Sequence, residues 1–368
     1  MKRTETLVFA ILLVLTLGAA WMVRGAEDAE EETGAVVFDP GAGGIESMAW
    51  DDETSVATIE IQGKGDSLAT WVTAGKKEKI ETEIEADPAG DDDSAEGADD
   101  DDSAGETTQP APEIEITYGE PTLRSFPGNA TAKKLVESFS PLTALREFDK
   151  LDADALTQMG LDSPKGSLTV TASSGSVTFE IGEKSYGSSD TYVRVKGKGS
   201  VFLVASKDLS PLRGAENRLV ERVLLDAETK DVADATLLVG GAPVGDKRVH
   251  QGRHDKNNSF WAPVGAPTEK DSVFGGFVDK VIGLRASSYP TDEDAPAEVE
   301  SVFAVAFGGE SGALGTVELG REIDADKSSD EETVYAYFAR SDRTRNRWAS
   351  ISRASGADLE DQLNQVVE

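Results

Sequence analysis

Two stretches of the chain carry the same apolar pattern, and this duplication constrains the fold more than any other feature. Leu135, Phe139, Leu142, Leu145 and Arg146 match Phe274, Val278, Val281, Leu284 and Arg285 at one constant offset. Further on, residues 179–182 (FEIG) recur as 317–320 (VELG). So long a period marks a duplicated module, not a solenoid unit of roughly 20–50 residues.

The order of predicted elements agrees between the copies. Residues 130–145 predict an amphipathic helix with Leu135, Phe139 and Leu142 on one face, and Pro141 should kink or restart it. Residues 168–172 and 177–181 alternate around Ser173-Ser174-Gly175, and 191–195 and 201–205 around KGKG, so two hairpins follow. A helix over 209–225 closes the first module. The second predicts strands at 235–239, 247–251 and 259–262, then a helix over 269–284 with Thr268 and Asp271 placed for an N-cap. Residues 301–307 should pair with 316–319, and 333–339 with 347–352, before a closing helix over 357–367. Ahead of the first helix, Ser55–Gln62 alternates as a strand, and 68–73 reads as its partner with Trp71 packed inward. The expected fold class is α+β: two tandem copies of an antiparallel β-sheet plus helix module.

Residues 7–23 read LVFAILLVLTLGAAWMV, apolar from Leu7 to Val23 but for Thr16 and Gly18. As a helix they rise about 26 Å, close to the roughly 30 Å hydrocarbon core. Lys2 and Arg3 precede them and acids follow, which places the N-terminus in the cytoplasm and the rest outside it. The competing reading is a cleavable signal peptide ending at the small residues Gly18-Ala19-Ala20; both readings export residues 25–368. The expected organisation is an anchor at 1–24, an acidic tether at 25–35, a first module at 36–225 and a second at 226–368.

The first module is interrupted. Residues 86–112 hold no large apolar side chain, so they cannot repay the entropy of ordering and are expected to be a disordered acidic loop. Strand-like segments at 79–84 and 114–118 flank the loop, which makes it an excursion from the module and not a linker. Its aspartates lack the ordered spacing and bidentate glutamate of a calcium loop. The net charge of -33 disfavours nucleic acid as a partner. The chain has no cysteine, which excludes disulfides, thiolate metal sites and cysteine nucleophiles.

Candidate chemistry is sparse. His250 and His254 lie four apart, but Gly252 and Asn257-Asn258 mark a turn there and no HExxH pattern surrounds them. Residues 308–312 (GGESG) miss the GxSxG spacing, and Gly41-Ala42-Gly43-Gly44 lacks the P-loop lysine. Asp149, Asp152 and Asp154 read as the start of a short helix. No catalytic, cofactor-binding or metal-ligating residue is assigned.

Residues 159–164, Met159-Gly160-Leu161-Asp162-Ser163-Pro164, resemble the YGLDxP signature of domain-of-unknown-function family 4340 (DUF4340), with methionine where tyrosine is usual. An "IG" hairpin end (Ile181-Gly182), a "YVR" strand (Tyr192-Val193-Arg194), a "VFLV" strand (201–204) and a helix with Arg222 near Leu224-Leu225 follow in the family's order. The family is similar to membrane-anchored envelope proteins found beside gliding-motility-type ABC transporters. The resemblance implies an accessory role outside the cytoplasmic membrane; with the N-terminal span, the expected protein is single-pass in the bacterial inner membrane with residues 25–368 in the periplasm. The expected function is a non-enzymatic accessory or scaffold protein with an envelope or ABC transporter partner. The alternative is a periplasmic receptor for a saccharide or peptide bound between the modules, with Trp261 and Trp348 lining the cleft.

Overall fold

The computed structural model describes residues 34–63, 68–84, 113–255, 257–291, 293–329 and 333–368. The expected anchor, nearly all of the tether and the acidic loop lie outside them. Among the described residues, no helix is long and apolar enough to cross a membrane.

The first part of the chain builds β1 (Val36–Phe38), β2 (Ile45–Asp52), β3 (Ser55–Gln62), β4 (Ala69–Ile84) and β5 (Glu113–Pro127). After α1 (Ala130–Ser138) come β6 (Leu142–Thr143), β7 (Arg146–Phe148) and α2 (Ala153–Gln158). Next are β8 (Gly166–Ala172), β9 (Gly175–Lys184), β10 (Thr191–Val195), β11 (Val201–Val204), α3 (Ser206–Arg213) and α4 (Ala215–Arg218). These strands form a nine-stranded sheet in the order β5-β4-β3-β2-β8-β9-β10-β11-β7, while β1 and β6 pair separately.

The rest of the chain supplies β12 (Asp234–Val239), β13 (Ala242–Pro243), β14 (Arg248–Gln251), β15 (Phe260–Pro263) and α5 (Ser272–Gly283). It ends with β16 (Glu300–Gly309), β17 (Gly312–Ile323), β18 (Tyr335–Ser341), β19 (Ala349–Ser350) and α6 (Arg353–Val367). Their eight-stranded sheet runs β15-β14-β12-β16-β17-β18-β19, with β13 on β12. Every pairing between these strands is antiparallel. The protein is therefore a mixed α+β structure with two large antiparallel sheets and helices.

Alternation decides which residues enter the cores. Met48 and Trp50 of β2, Ala57 and Ile59 of β3, and Val72 and Ala74 of β4 are all buried, under α1 and α3. In the second sheet Phe303, Val305, Phe307, Val317 and Leu319 lie under α5 and α6, with the Phe277 ring on α5 5.0 Å from that of Phe303. Helix α6 approaches β18 at Gly356, where a Cβ would fall 2.2 Å from Tyr337 Cγ. Buried side chains of both sheets join in one continuous cluster.

Three local expectations are corrected. The first helix ends at Ser138, not 145: proline disfavours helix in the residue before it, and the Ser140 amide closes onto Glu137 O at 3.0 Å. Leu142 is then buried from the short strand β6 instead of from a helix. The predicted helix 209–225 stops at Arg218, and Leu219, Val220, Leu224 and Leu225 are buried from non-helical chain that crosses to the second sheet. By contrast, the strand-like segments 79–84 and 114–118 are strands as expected, the outer parts of β4 and β5. Trp71 does not pack inward: Val72 and Ala74 take the core face, and Trp71 lies on the opposite one under Arg345 and Arg347, whose guanidinium carbons stand 5.1 and 5.4 Å from its ring.

Candidate functional site

Strand β3 accompanies β4 only as far as the pair Ser55↔Lys76. Beyond an irregularity between Lys77 and Lys79, β4 continues with β5 alone, from Lys79↔Tyr118 to Ile84↔Glu113. The result is a two-stranded ribbon projecting past the sheet. Such a ribbon is marginal in water on its own. It nevertheless presents Ile80, Ile114, Ile116 and Tyr118 at 46, 51, 49 and 38% exposure. Ile114, Ile116 and Tyr118 alternate and so share one face. Strand β5 ends the sheet, so its outer edge has no strand partner among the described residues. The Lys79 ammonium and Glu81 carboxylate meet at 2.5 Å on the surface, which holds Lys79 above and Glu81 below their ordinary pKa ranges. The described ribbon ends at the pair Ile84↔Glu113.

The sequence signature sits elsewhere. Asp152 caps α2, accepting from the Ala155 amide at 2.8 Å, and the chain then turns through Gly160 with φ +65°. A Cβ on Gly160 would lie 2.7 Å from Glu183 Cγ, so only glycine lets the turn rest on β9. Leu161 is fully buried, and its carbonyl accepts from Arg194 Nη2 at 2.8 Å. Arg194 Nε donates to Glu180 at 2.7 Å across β9 and β10. A Cβ on Gly182 would meet Met159 O at 2.2 Å. The signature is thus a packing device, a tight turn pinned to the sheet by one arginine.

Residues 126–300 match the family model DUF4340, Domain of unknown function. The DUF4340 match begins near the end of β5 and stops at the first residue of β16, so it takes in the signature turn and crosses between the sheets. The outer part of the ribbon and β17 to α6 lie outside it. No curated protein and no solved structure matches the chain.

The arginine pin has a counterpart in the second sheet. Arg340 Nε donates to Glu318 at 2.7 Å between neighbours in β17 and β18. Gly320 stands where Gly182 does, and its Cβ would be 2.3 Å from Val299 Cγ1. The FEIG and VELG segments carry this likeness in the sequence. The arginines escaped sequence comparison because the loop before β18 is longer, although YVR and FAR could have been aligned.

Between the sheets runs a polar seam. The Glu221 side chain is 6% exposed; one oxygen accepts from the Val223 amide at 2.9 Å and the other meets Arg343 Nη2. Arg343 Nη1 also reaches Asp226 at 2.8 Å. Tyr289 donates to Glu221 O at 3.0 Å and packs on Phe126 at 6.0 Å; burial foremost pushes its hydroxyl far above the ordinary tyrosine range. The bridge Val223↔Arg285 adds a backbone contact across it.

The other sequence candidates take structural places. The His250 ring stacks on Trp261 at 4.7 Å and 5°, with Nδ1 3.2 and 3.1 Å from the Thr229 and Val232 carbonyls, whereas exposed His254 lies beside Glu310. Asp149 accepts from Ser200 at 2.8 Å. Gly309 and Gly312 close the turn between β16 and β17, and Gly41–Gly43 form a short turn. Trp261 is 3% exposed and Trp348 lies under Arg340 at 4.3 Å. Among the described residues, no group of three or more His, Asp or Glu is placed to hold a metal ion. A cleft of about 310 Å³ beside the signature turn sets Arg213 against Asp52 at 3.7 Å and Lys165 against Glu183 at 3.9 Å, so its charges largely offset one another.

Proposed function

We propose that the protein is a non-enzymatic accessory subunit of the bacterial envelope, anchored through residues 7–23 and carrying two tandem copies of one α+β module. The shared strand order and the paired Arg–Glu pins support the duplication. The observation that carries the function is the ribbon: a free sheet edge with an exposed apolar face invites strand addition by a partner. Glu115 and Glu120 on β5 suit a partner strand rich in Lys and Arg. The DUF4340 resemblance points to an ABC-type transporter component as that partner.

Affinity capture of the full chain in mild detergent tests this reading. The wild type is expected to retain an envelope protein that Ile114→Lys/Ile116→Lys loses. Recovery of the same proteins with both forms would contradict it. One observation favours the alternative receptor reading, namely a basic cavity at the seam. Trp261, being buried, does not line it.

A further inference from the structure

The seam holds a cavity of about 490 Å³ lined by Arg222, Lys280, Arg285, Ser352, Ser355 and Asp358 among others. Arg222 comes from the segment that leaves the first sheet, the next two from the end of α5 and the bend after it, and the last three from the start of α6. Both arginines are fixed by the backbone. Arg222 Nη1 donates to the carbonyls of Ala286, at 3.3 Å, and Ser287. Arg285 Nη1 donates to those of Ile282 and Leu284 at 3.1 and 2.9 Å. The Ala286 amide bonds back to Arg222 O at 2.9 Å, which locks the two segments side by side.

The charge here runs against the rest of the molecule. The chain has 69 acidic residues against 36 basic ones, yet neither Arg222 nor Arg285 meets a carboxylate among the described residues. Lys280 pairs with Asp358 at 2.6 Å, so the cavity holds one acid for three bases. The Nε and Nη2 groups of both arginines have no protein acceptor among the described residues. Arg222 is half-buried and Arg285 exposed, so the two guanidinium groups, each held by one nitrogen, keep solvent-facing donors that a bidentate anion could take. Because the donors come from three elements, they suit a tetrahedral group with several oxygens better than a planar carboxylate with two.

We propose that this cavity binds a phosphate group, gripped by Arg222 and Arg285 between the crossing segment and the ends of α5 and α6. The inference rests on the receptor reading of the seam and gives its ligand a chemical class. A free phosphate and a lipid phosphodiester share this chemistry.

Titration calorimetry of the full chain in phosphate-free, non-ionic detergent tests it. The probes are inorganic phosphate, a short-chain phosphatidylglycerol below its micelle concentration, and succinate. Saturable binding of either phosphate probe is expected, and which of the two binds names the source. Arg222→Gln and Arg285→Gln should each weaken it about tenfold or more, while Lys133→Gln on α1 should leave it unchanged. Thermal unfolding without ligand checks that each variant is folded. Binding of succinate alone would overturn the phosphate class and keep the receptor reading. No binding by either phosphate probe, or equal affinity in the wild type and both arginine variants, would overturn the phosphate site and leave a receptor for an uncharged saccharide or peptide standing.

Discussion

The two sheets share seven strands in the same order, but differ at one edge. The second sheet ends in β15, four residues long and closed by Pro263. The first carries β4 past its neighbours and adds β5, so a ribbon stands clear with apolar side chains in solvent. The shared part is explained by core burial and by the Arg–Glu pin. The difference is not, because exposing isoleucine beside an edge without a strand partner among the described residues brings no stability. The ribbon is therefore the part of the first sheet that core packing leaves unexplained, and it carries the proposed function.

The largest test of the likeness lies at the matching glycines. Gly182→Ala sets a methyl against a backbone oxygen, whereas Gly320→Ala sets it against the end of a valine side chain. The first is expected to destabilise by about 3 kcal/mol and the second by about 1 kcal/mol, measured by urea unfolding. Equal effects would break the distinction between a turn pressed on the sheet and a side chain that can move.

The seam comes next. Arg343→Met leaves the Glu221 carboxylate buried without its cation, and should cost about 2 kcal/mol, less than a fully buried pair because Arg343 is itself partly exposed. If unfolding shows no change, the seam does not tie the sheets. The two pins are smaller: Arg194→Met should cost about 1.5 kcal/mol and Arg340→Met about 1 kcal/mol, since only Arg194 also holds a turn carbonyl. A reversed order would show that the second pin is the structural one.

A pH effect separates the sheets further. Burial foremost raises Asp208 of α3 above the ordinary carboxylate range, against a hydrogen bond with Ser138 and the charge of Lys207 that lower it. As pH rises above about 4, the unfolded chain releases this proton first, so stability falls until the folded group has also ionised. Asp208→Asn should remove that part of the fall and unfold at higher temperature at pH 7. A pH profile identical to the wild type would contradict the assignment. Smallest of all on stability is Ile116→Lys, within about 0.5 kcal/mol, because the site is exposed.

Much of this frame is legible in the sequence because both helices and strands announce themselves by period. Val177, Phe179 and Ile181 alternate, and so do Val317 and Leu319, so both central hairpins could be drawn. The β4–β5 pairing could not, because the loop between the strands holds no pattern linking Lys79 to Tyr118. Trp71 departs from its expected inward packing because alternation gives the core face of β4 to Val72 and Ala74. The residues after Arg218 read as helix because Leu219, Val220 and Leu224 have helical spacing, yet tertiary contacts with β5 and the α5 end override it. Of the candidate surfaces, the basic cavity is invisible in the sequence: Arg222 and Arg285 are far apart in the chain, and only the crossing segment unites them.

Amide hydrogen exchange on β5 tests the central claim most directly. The full chain would be compared in its own membranes and after purification in detergent. Occupation of the free edge predicts that amides between 114 and 120 exchange at least tenfold more slowly in the membranes, while those of β15 are the same in both. Equal exchange at 114–120 in the two preparations would contradict the ribbon as the docking element.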